Sequence, residues 1–437
     1  MISLGELLVS LDQGWSPKCL EVPSSDPRKW AVIKTTAIQP LKFNASENKQ
    51  LPDNLISRPH LQILSGDILI TRAGPRSRVG IACYVKDCRT RLLLCDKAYR
   101  LRVREELADA KYIAFMLNSD IVVQQIEALK SGISDSGLNL KQNEFLDLKI
   151  PAPSLTEQRR IVARIEALFA RTRRARADLE RIAPLASKYV EAETDRAYDH
   201  ATKPGWLLSV AGNLCEIKSG VTLGKRYAQD AQLVERPYLR VANVQRGHLK
   251  LDEIKSVRLS VAEADRLALQ PGDVLMNEGG DRDKLGRGWV WNDEIPGCVH
   301  QNHVFRLRLH DEKITPRFLS RYANHAGAQY FLGEGKQTTN LASISMSKVA
   351  ALPVPVPPMG EAAEIDRKLD AVCRSAATCE QQAGHALSLL DRLERSILAR
   401  AFRGELVPQK PSEQAEAPSA AASQVRIARR AYVAGVD

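Results

Sequence analysis

Pro151-Ala152-Pro153-Ser154-Leu155-Thr156-Glu157-Gln158 is the stretch whose reading decides the organisation of this chain. Pro151 and Pro153 hold the backbone extended and deny a helix before Ser154. Ser154 and Glu157 have the Ser-x-x-Glu spacing of a capping box, which starts a helix there. Apolar or small residues then fall at Ile161, Ile165, Leu168, Thr172, Ala175, Leu179, Ile182, Ala186 and Tyr189. Steps alternating between four and three make the seam of a coiled coil, sustained beyond the length of an ordinary surface helix.

The same device recurs 204 positions later, where Pro355, Pro357, Glu361, Ile365 and Leu369 stand for Pro151, Pro153, Glu157, Ile161 and Ile165. Its seam continues through Val372, Ala376, Cys379, Ala383, Ala386, Leu390, Leu393 and Ile397. The segments before the helices repeat at a shift of 206. Gly14 maps to Gly220, Ser65-Gly66-Asp67-Ile68-Leu69 to Pro271-Gly272-Asp273-Val274-Leu275, Gly74 to Gly280 and Gly80 to Gly286. Tyr99-Arg100-Leu101-Arg102 likewise maps to Phe305-Arg306-Leu307-Arg308. One register over so many matches reads as a tandem duplication.

Within the first copy, apolar or alternating runs at Trp30 to Ile38, Asp67 to Thr71, Gly80 to Val85, Arg91 to Leu94 and Tyr99 to Val103 predict strands joined by turns. Ala108 to Ser131 carries a helical pattern. The expected fold class is therefore α+β: two tandem domains of mixed structure, separated by two long helices that pair as an antiparallel coiled coil with pseudo-twofold symmetry. The expected boundaries are 1–150 and 200–354 for the globular domains, and 151–199 and 355–408 for the helices. A tail over 409–437, rich in Ala, Ser, Pro, Glu and Gln, is expected to be disordered.

A chain of 437 residues is too long for one core. No apolar run approaches the roughly 20 residues of a membrane span, and Met1 to Leu11 lacks the basic start of a signal peptide. Eight cysteines without a CxxC pair read as reduced thiols of a cytoplasmic protein. The net charge of +11 raises the odds of a polyanionic partner without identifying one.

The search for catalysis is negative. The chain has no phosphate-binding loop and no Asn/Asp-Pro-Pro-Tyr/Phe motif for amino-group methylation. Cys298, His300 and His303 read better as a strand with outward polar residues than as a zinc site, since no fourth ligand lies close in sequence. On the first helix Arg160, Arg164, Arg171, Arg174 and Arg181 flank the seam, either as a solvated face or as contacts to phosphate or a partner.

In the globular copies the loops carry Arg72, Arg76, Ser77, Arg78 and Lys97 in the first, against Asn277, Glu278, Arg282, Lys284, His300, Gln301, Asn302 and His303 in the second. The copies keep their turn glycines and change these polar residues, between types suited to different base edges. That contrast reads as two scaffolds presenting two different readers.

These features resemble a known family, the DNA-specificity subunit of type I restriction–modification systems. The resemblance rests on Pro151-x-Pro153-x-Leu155-x-Glu157-Gln158-x-x-Ile161-Val162 and on Leu393-x-x-Ser396-Ile397-Leu398-x-x-Ala401-Phe402-x-Gly404-x-Leu406-Val407. Pro204-Gly205-Trp206 and the paired Gly-Asp turns are similar too, so residues 1 to about 408 are covered. Met359-Gly360-Glu361-Ala362 departs from the motif at the second helix.

The resemblance implies a non-catalytic subunit that recognises a bipartite target in double-stranded DNA. It implies two methyltransferase subunits as partners, with restriction/translocase subunits in the larger complex. It also implies that S-adenosylmethionine, Mg and ATP are held by those partners and not by this chain. A helix of about 37 residues runs roughly 55 Å, which suits half-sites one to two DNA turns apart. From another class, a coiled-coil scaffold whose globular copies bind protein remains the alternative.

Overall fold

Ile68-Leu69-Ile70-Thr71 is a run with every side chain buried, as a central strand covered on both faces requires. In the computed structural model, which describes residues 1–280, 284–337 and 342–407, this run is the heart of a four-stranded antiparallel sheet. The strands are Leu8–Gln13 (β1), Ile68–Thr71 (β2), Ala82–Tyr84 (β3) and Ala98–Val103 (β4), in the order β1-β4-β2-β3. β1 escapes the sequence reading, which takes the N-terminal apolar residues as unassigned. It is an edge strand with an exposed Val9, so its alternation is weak.

Helices Ala110–Leu117 (α1) and Asp120–Leu129 (α2) pack on this sheet around Tyr112, Ile113, Met116 and Leu117. The single expected helix is thus two, parted at Asn118-Ser119. The Asn118 amide there donates to Ala82 O (3.0 Å) and to Ala114 O (2.8 Å). Full burial of Ile68, Ile70 and Leu101 is worth about 1.5–3 kcal/mol each.

The second unit repeats this plan. Cys215–Ser219 (β5), Val274–Asn277 (β6), Gly288–Val290 (β7) and Val304–Leu309 (β8) pair in the order β5-β8-β6-β7. Registers agree at a shift of 206 except at the bulge beside Val103, which the second copy lacks. Tyr99 lies opposite Gln13 and Ile70, and Phe305 opposite Ser219 and Met276. Each unit adds a three-stranded sheet with one parallel pair, Leu92–Leu93 on Ala31–Ile33 in the first and Val299–His300 on Leu233–Leu239 in the second.

Gly14 and Gly220 sit where chain segments cross. A Cβ on Gly14 would lie 2.3 Å from Leu94 O, and one on Gly220 1.9 Å from His300 O, so neither position accepts a side chain. The repeated Gly-Asp turns have a shared structural cause. Asp67 accepts from the Leu64 amide (2.8 Å) and pairs with Arg102 (2.7 Å). Asp273 does the same with the Gln270 amide (2.7 Å) and Arg308 (2.7 Å).

The proline-led stretch leads into Leu155–Glu180 (α3), followed by Ile182–Tyr198 (α4). The expected uninterrupted helix over 151–199 is broken at Arg181, because Pro184 has no N–H for the Glu180 carbonyl and its ring crowds that group. Ser154 accepts from the Glu157 amide (3.3 Å), but the Glu157 carboxylate is taken by Arg160 (2.6 Å), so only half of the capping box forms. Gln158 is fully buried. Its Nε2 donates to Leu107 O and Pro153 O, and its Oε1 accepts from the Asp109 amide.

The last long helix, Glu361–Phe402 (α6), is continuous; its N-terminal part packs on Pro316–Asn324 (α5). In the first unit Ile161, Val162, Ile165 and Phe169 of α3 share a core with Ile397, Leu398 and Ala401 of α6, and Leu168 packs at its margin. Thr172 donates to Glu394 (2.6 Å) and Arg176 pairs with Asp391 (2.7 Å), so positions fall on α6 as they rise on α3.

In the second unit Tyr198 of α4 meets Ile365 and Leu369 of α6 in one core and donates to Phe318 O (3.1 Å). Lys111–Glu166 (2.6 Å) in the first unit has its counterpart in Arg317–Asp370 (2.6 Å). The seam reading needs correction at three positions. Tyr189 is 51% and Leu393 48% exposed, and Cys379 is exposed, while Glu394 turns towards the partner helix in place of Leu393. Leu179, Ile182, Val372 and Leu390 are half-buried. The expected tail over 409–437 lies outside the described residues.

Candidate nucleic-acid interface

The basic residues common to both copies are spent on structure. Arg100 is buried, pairs with Asp12 (2.8 Å) and donates to Gln62 O and His60 O. Its counterpart Arg306 pairs with Glu216, and burial pushes the pKa of Arg306 down. Arg102 and Arg308 are held by Asp67 and Asp273, whose hydrogen bonds raise the pKa of each guanidinium. None of these four is available to a polyanion without breaking an ion pair of the sheet.

The residues that differ between copies divide by exposure. Arg76 and Ser77 are exposed at the rim of a cavity of about 630 Å³, with Arg76 engaged by Glu127 and Asp135. Arg78 is turned inward, donating through Nη2 to Thr35 O (2.6 Å) and Ile38 O (2.7 Å). Arg72 is half-buried, donates to Asp96 O (3.1 Å) and lies 5.4 Å from the Tyr99 ring centroid. Lys97 is exposed.

In the second unit Lys284 is half-buried beside Gly280, Gln301 is half-buried, and His303 is exposed and bonded to Glu278 (2.6 Å). Arg282 lies outside the described residues.

Two candidates are corrected outright. Asn277 is fully buried and donates to Val241 O and Val244 O. His300 is fully buried and bonded through Nδ1 to Val304 O (2.7 Å); burial depresses its pKa to about 4. Cys298 is buried as well, its thiol pushed up to about 12 by desolvation, so Cys298 and His300 face the core and not solvent. Their strands are covered on the face that an isolated sequence run leaves open. Among the described residues no group of three or more His, Cys, Asp or Glu is placed to hold a metal ion. No helix of the described residues is long and apolar enough to cross a membrane.

Tertiary structure brings together a cleft that the linear reading does not find. Its volume is about 520 Å³, and Trp15, Lys18, Lys34, Lys49, Asp96 and Lys97 contribute to its lining. Arg58 covers the Trp15 ring at 4.5 Å. Lys34 pairs with Glu47 (3.6 Å) and Lys49 with Glu21 (2.8 Å), which leaves Lys18 and Lys97 without an ion pair among the described residues. A parallel bridge between Trp15 and Cys95 joins the segments. The only sequence signal was Lys97 itself; the other lysines come from segments tens of residues apart.

No family model matches the chain. The specificity subunit of the type I restriction enzyme EcoEI from Escherichia coli is 39% identical over 166 residues, 38% of this chain and 28% of that protein. In that alignment the chain spans under a third of the relative's length. The StySPI specificity subunit from Salmonella potsdam is 29% identical over 399 residues, covering 87% of this chain and 83% of that protein.

Among solved structures, a chain from work on complex assembly and conformational transition of the type I R-M system superposes with a TM-score of 0.65. It is 23% identical over 92% of this chain and 97% of its own, a likeness of fold. The repeated sheets and the long helices accompany these similarities: over most of its length the chain is similar to type I restriction enzyme specificity subunits.

Proposed function

We propose that each globular copy reads one half of a bipartite double-stranded DNA target, while the long helices pair as an antiparallel coiled coil that sets the unread gap. The same helices dock two methyltransferase subunits, and restriction/translocase subunits join the larger assembly. The chain itself is non-catalytic and acts in the cytoplasm; S-adenosylmethionine, Mg and ATP belong to its partners. The observation that carries this reading is the recurrence, 206 residues apart, of one sheet register with different exposed polar residues upon it. A duplicated scaffold with divergent exposed loops suits two different half-sites. The opposed pairing of Thr172 with Glu394 and Arg176 with Asp391 supports the coiled coil.

The test is enrichment of random duplex DNA by the full-length chain at two salt concentrations. Two short conserved blocks with a constant gap, and a steep loss of binding with salt, are expected. A protein scaffold without DNA specificity would enrich no sequence.

A further inference from the structure

The two copies hold one pair of positions in the same backbone frame and invert its charge. In the first, the Arg72 amide donates to Lys97 O (2.9 Å); in the second, the Glu278 amide donates to His303 O (3.0 Å). These are the same positions at the shift of 206. The surrounding frame recurs too. The Trp15–Cys95 bridge has its counterpart in Val221–Gln301, and the Lys34–Glu47 ion pair in Arg240–Glu253 (3.1 Å). Against that constancy, Arg72 and Lys97 give way to Glu278 and His303, and Lys18 gives way to Gly224.

The side chains fit different tasks. Arg72 is committed to the Asp96 carbonyl and the Tyr99 ring, so it positions the 96–97 turn, and the exposed Lys97 ammonium is left with its donors free at the cleft. In the second copy the Glu278 carboxylate, with 30% of its side chain exposed, accepts from His303 Nδ1 at 2.6 Å. Asn302 Nδ2 stands 3.5 Å from His303 Nε2, which favours the tautomer with its proton on Nδ1. That bond orients the carboxylate and leaves its other lone pairs open.

Resting on the DNA-recognition reading above, we propose that this pair of positions is the base-reading element of each copy, with opposite hydrogen-bond polarity. Lys97 donates to an acceptor edge, that of guanine O6 and N7. Glu278, held by His303, accepts from an exocyclic amine, that of cytosine N4 or adenine N6.

The experiment is selection from a random duplex library by the full-length chain, as wild type, Lys97→Ala and Glu278→Gln. Preference for guanine at a position of one half-site should fall about ten-fold or more with Lys97→Ala, with the other half-site unchanged. Glu278→Gln should lower preference for cytosine or adenine at a position of the other half-site by a similar factor. Thermal melting of both variants should match wild type, because both side chains reach solvent.

Unchanged preferences in both variants would overturn the assignment. So would a loss of affinity equal for all sequences, which marks phosphate contacts and not base reading. If the wild type itself enriches no bipartite sequence, the recognition reading fails first and takes this inference with it.

Discussion

Gln158 shows how a single side chain joins a helix start to a globular domain. Three of its hydrogen bonds reach backbone groups of the 107–109 segment and of the proline-led turn. Gln158→Ala leaves the Asp109 amide and two carbonyls unpaired, and should lower stability by roughly 2–3 kcal/mol. A urea midpoint equal to wild type would refute the clamp.

His300 gives a pH signature. Its folded pKa of about 4 lies below the ordinary 6.5, because burial disfavours the charged ring. The neutral ring's contribution is therefore fully present above pH 6.5 and is lost as pH falls through 4. Leu94 occupies the corresponding position of the first copy. His300→Leu should flatten the fall in melting temperature between pH 6.5 and 4, by an amount equivalent to roughly 3 kcal/mol at most. A wild-type pH profile in that variant would show that another group titrates.

At the scale of elements, the long helices obey the period of their sequence where they are covered and depart from it where they are not. Ile165 is fully buried between α3 and α6, whereas Leu393 stands half in solvent. Ile165→Asp should destabilise the full chain by several kcal/mol through an unpaired buried charge, and Leu393→Asp by less than about 1 kcal/mol. Equal urea midpoints for the two variants would contradict this arrangement. The heptad count assigned each residue to the seam of its own helix because it sees spacing alone. The offset of one residue, about 100° around the helix, that brings Glu394 and not Leu393 to Thr172 depends on the rotation of α6 about its axis.

At the scale of the whole molecule, the proposed ruler makes a prediction independent of any base contact. α6 is uninterrupted from Glu361 to Phe402, and Gly384 is exposed with open space around it. Four residues inserted between Gly384 and His385 lengthen the helix by about 6 Å while roughly preserving the seam. At about 3.4 Å per base step, the gap between half-sites should grow by one or two base pairs, with the half-sites unchanged. Selected DNA with the original gap, from a chain that still binds, would place the control of spacing elsewhere.

The sequence by itself determined where the long helices begin, where Ile68–Thr71 and Ala98–Val103 form strands, and that the Gly-Asp turns repeat. Each follows from local chemistry: prolines that forbid helix, periodicities of two and 3.6, and turns that need glycine. Tertiary structure alone decided which polar residues face solvent. Asn277 and His300 look in sequence like exposed donors and are buried, because elements distant in sequence cover them. It also decided the cleft, since Trp15, Lys34 and Lys97 become neighbours only when the 14–19, 33–35 and 95–97 segments cross at Gly14, which leaves no room for a Cβ.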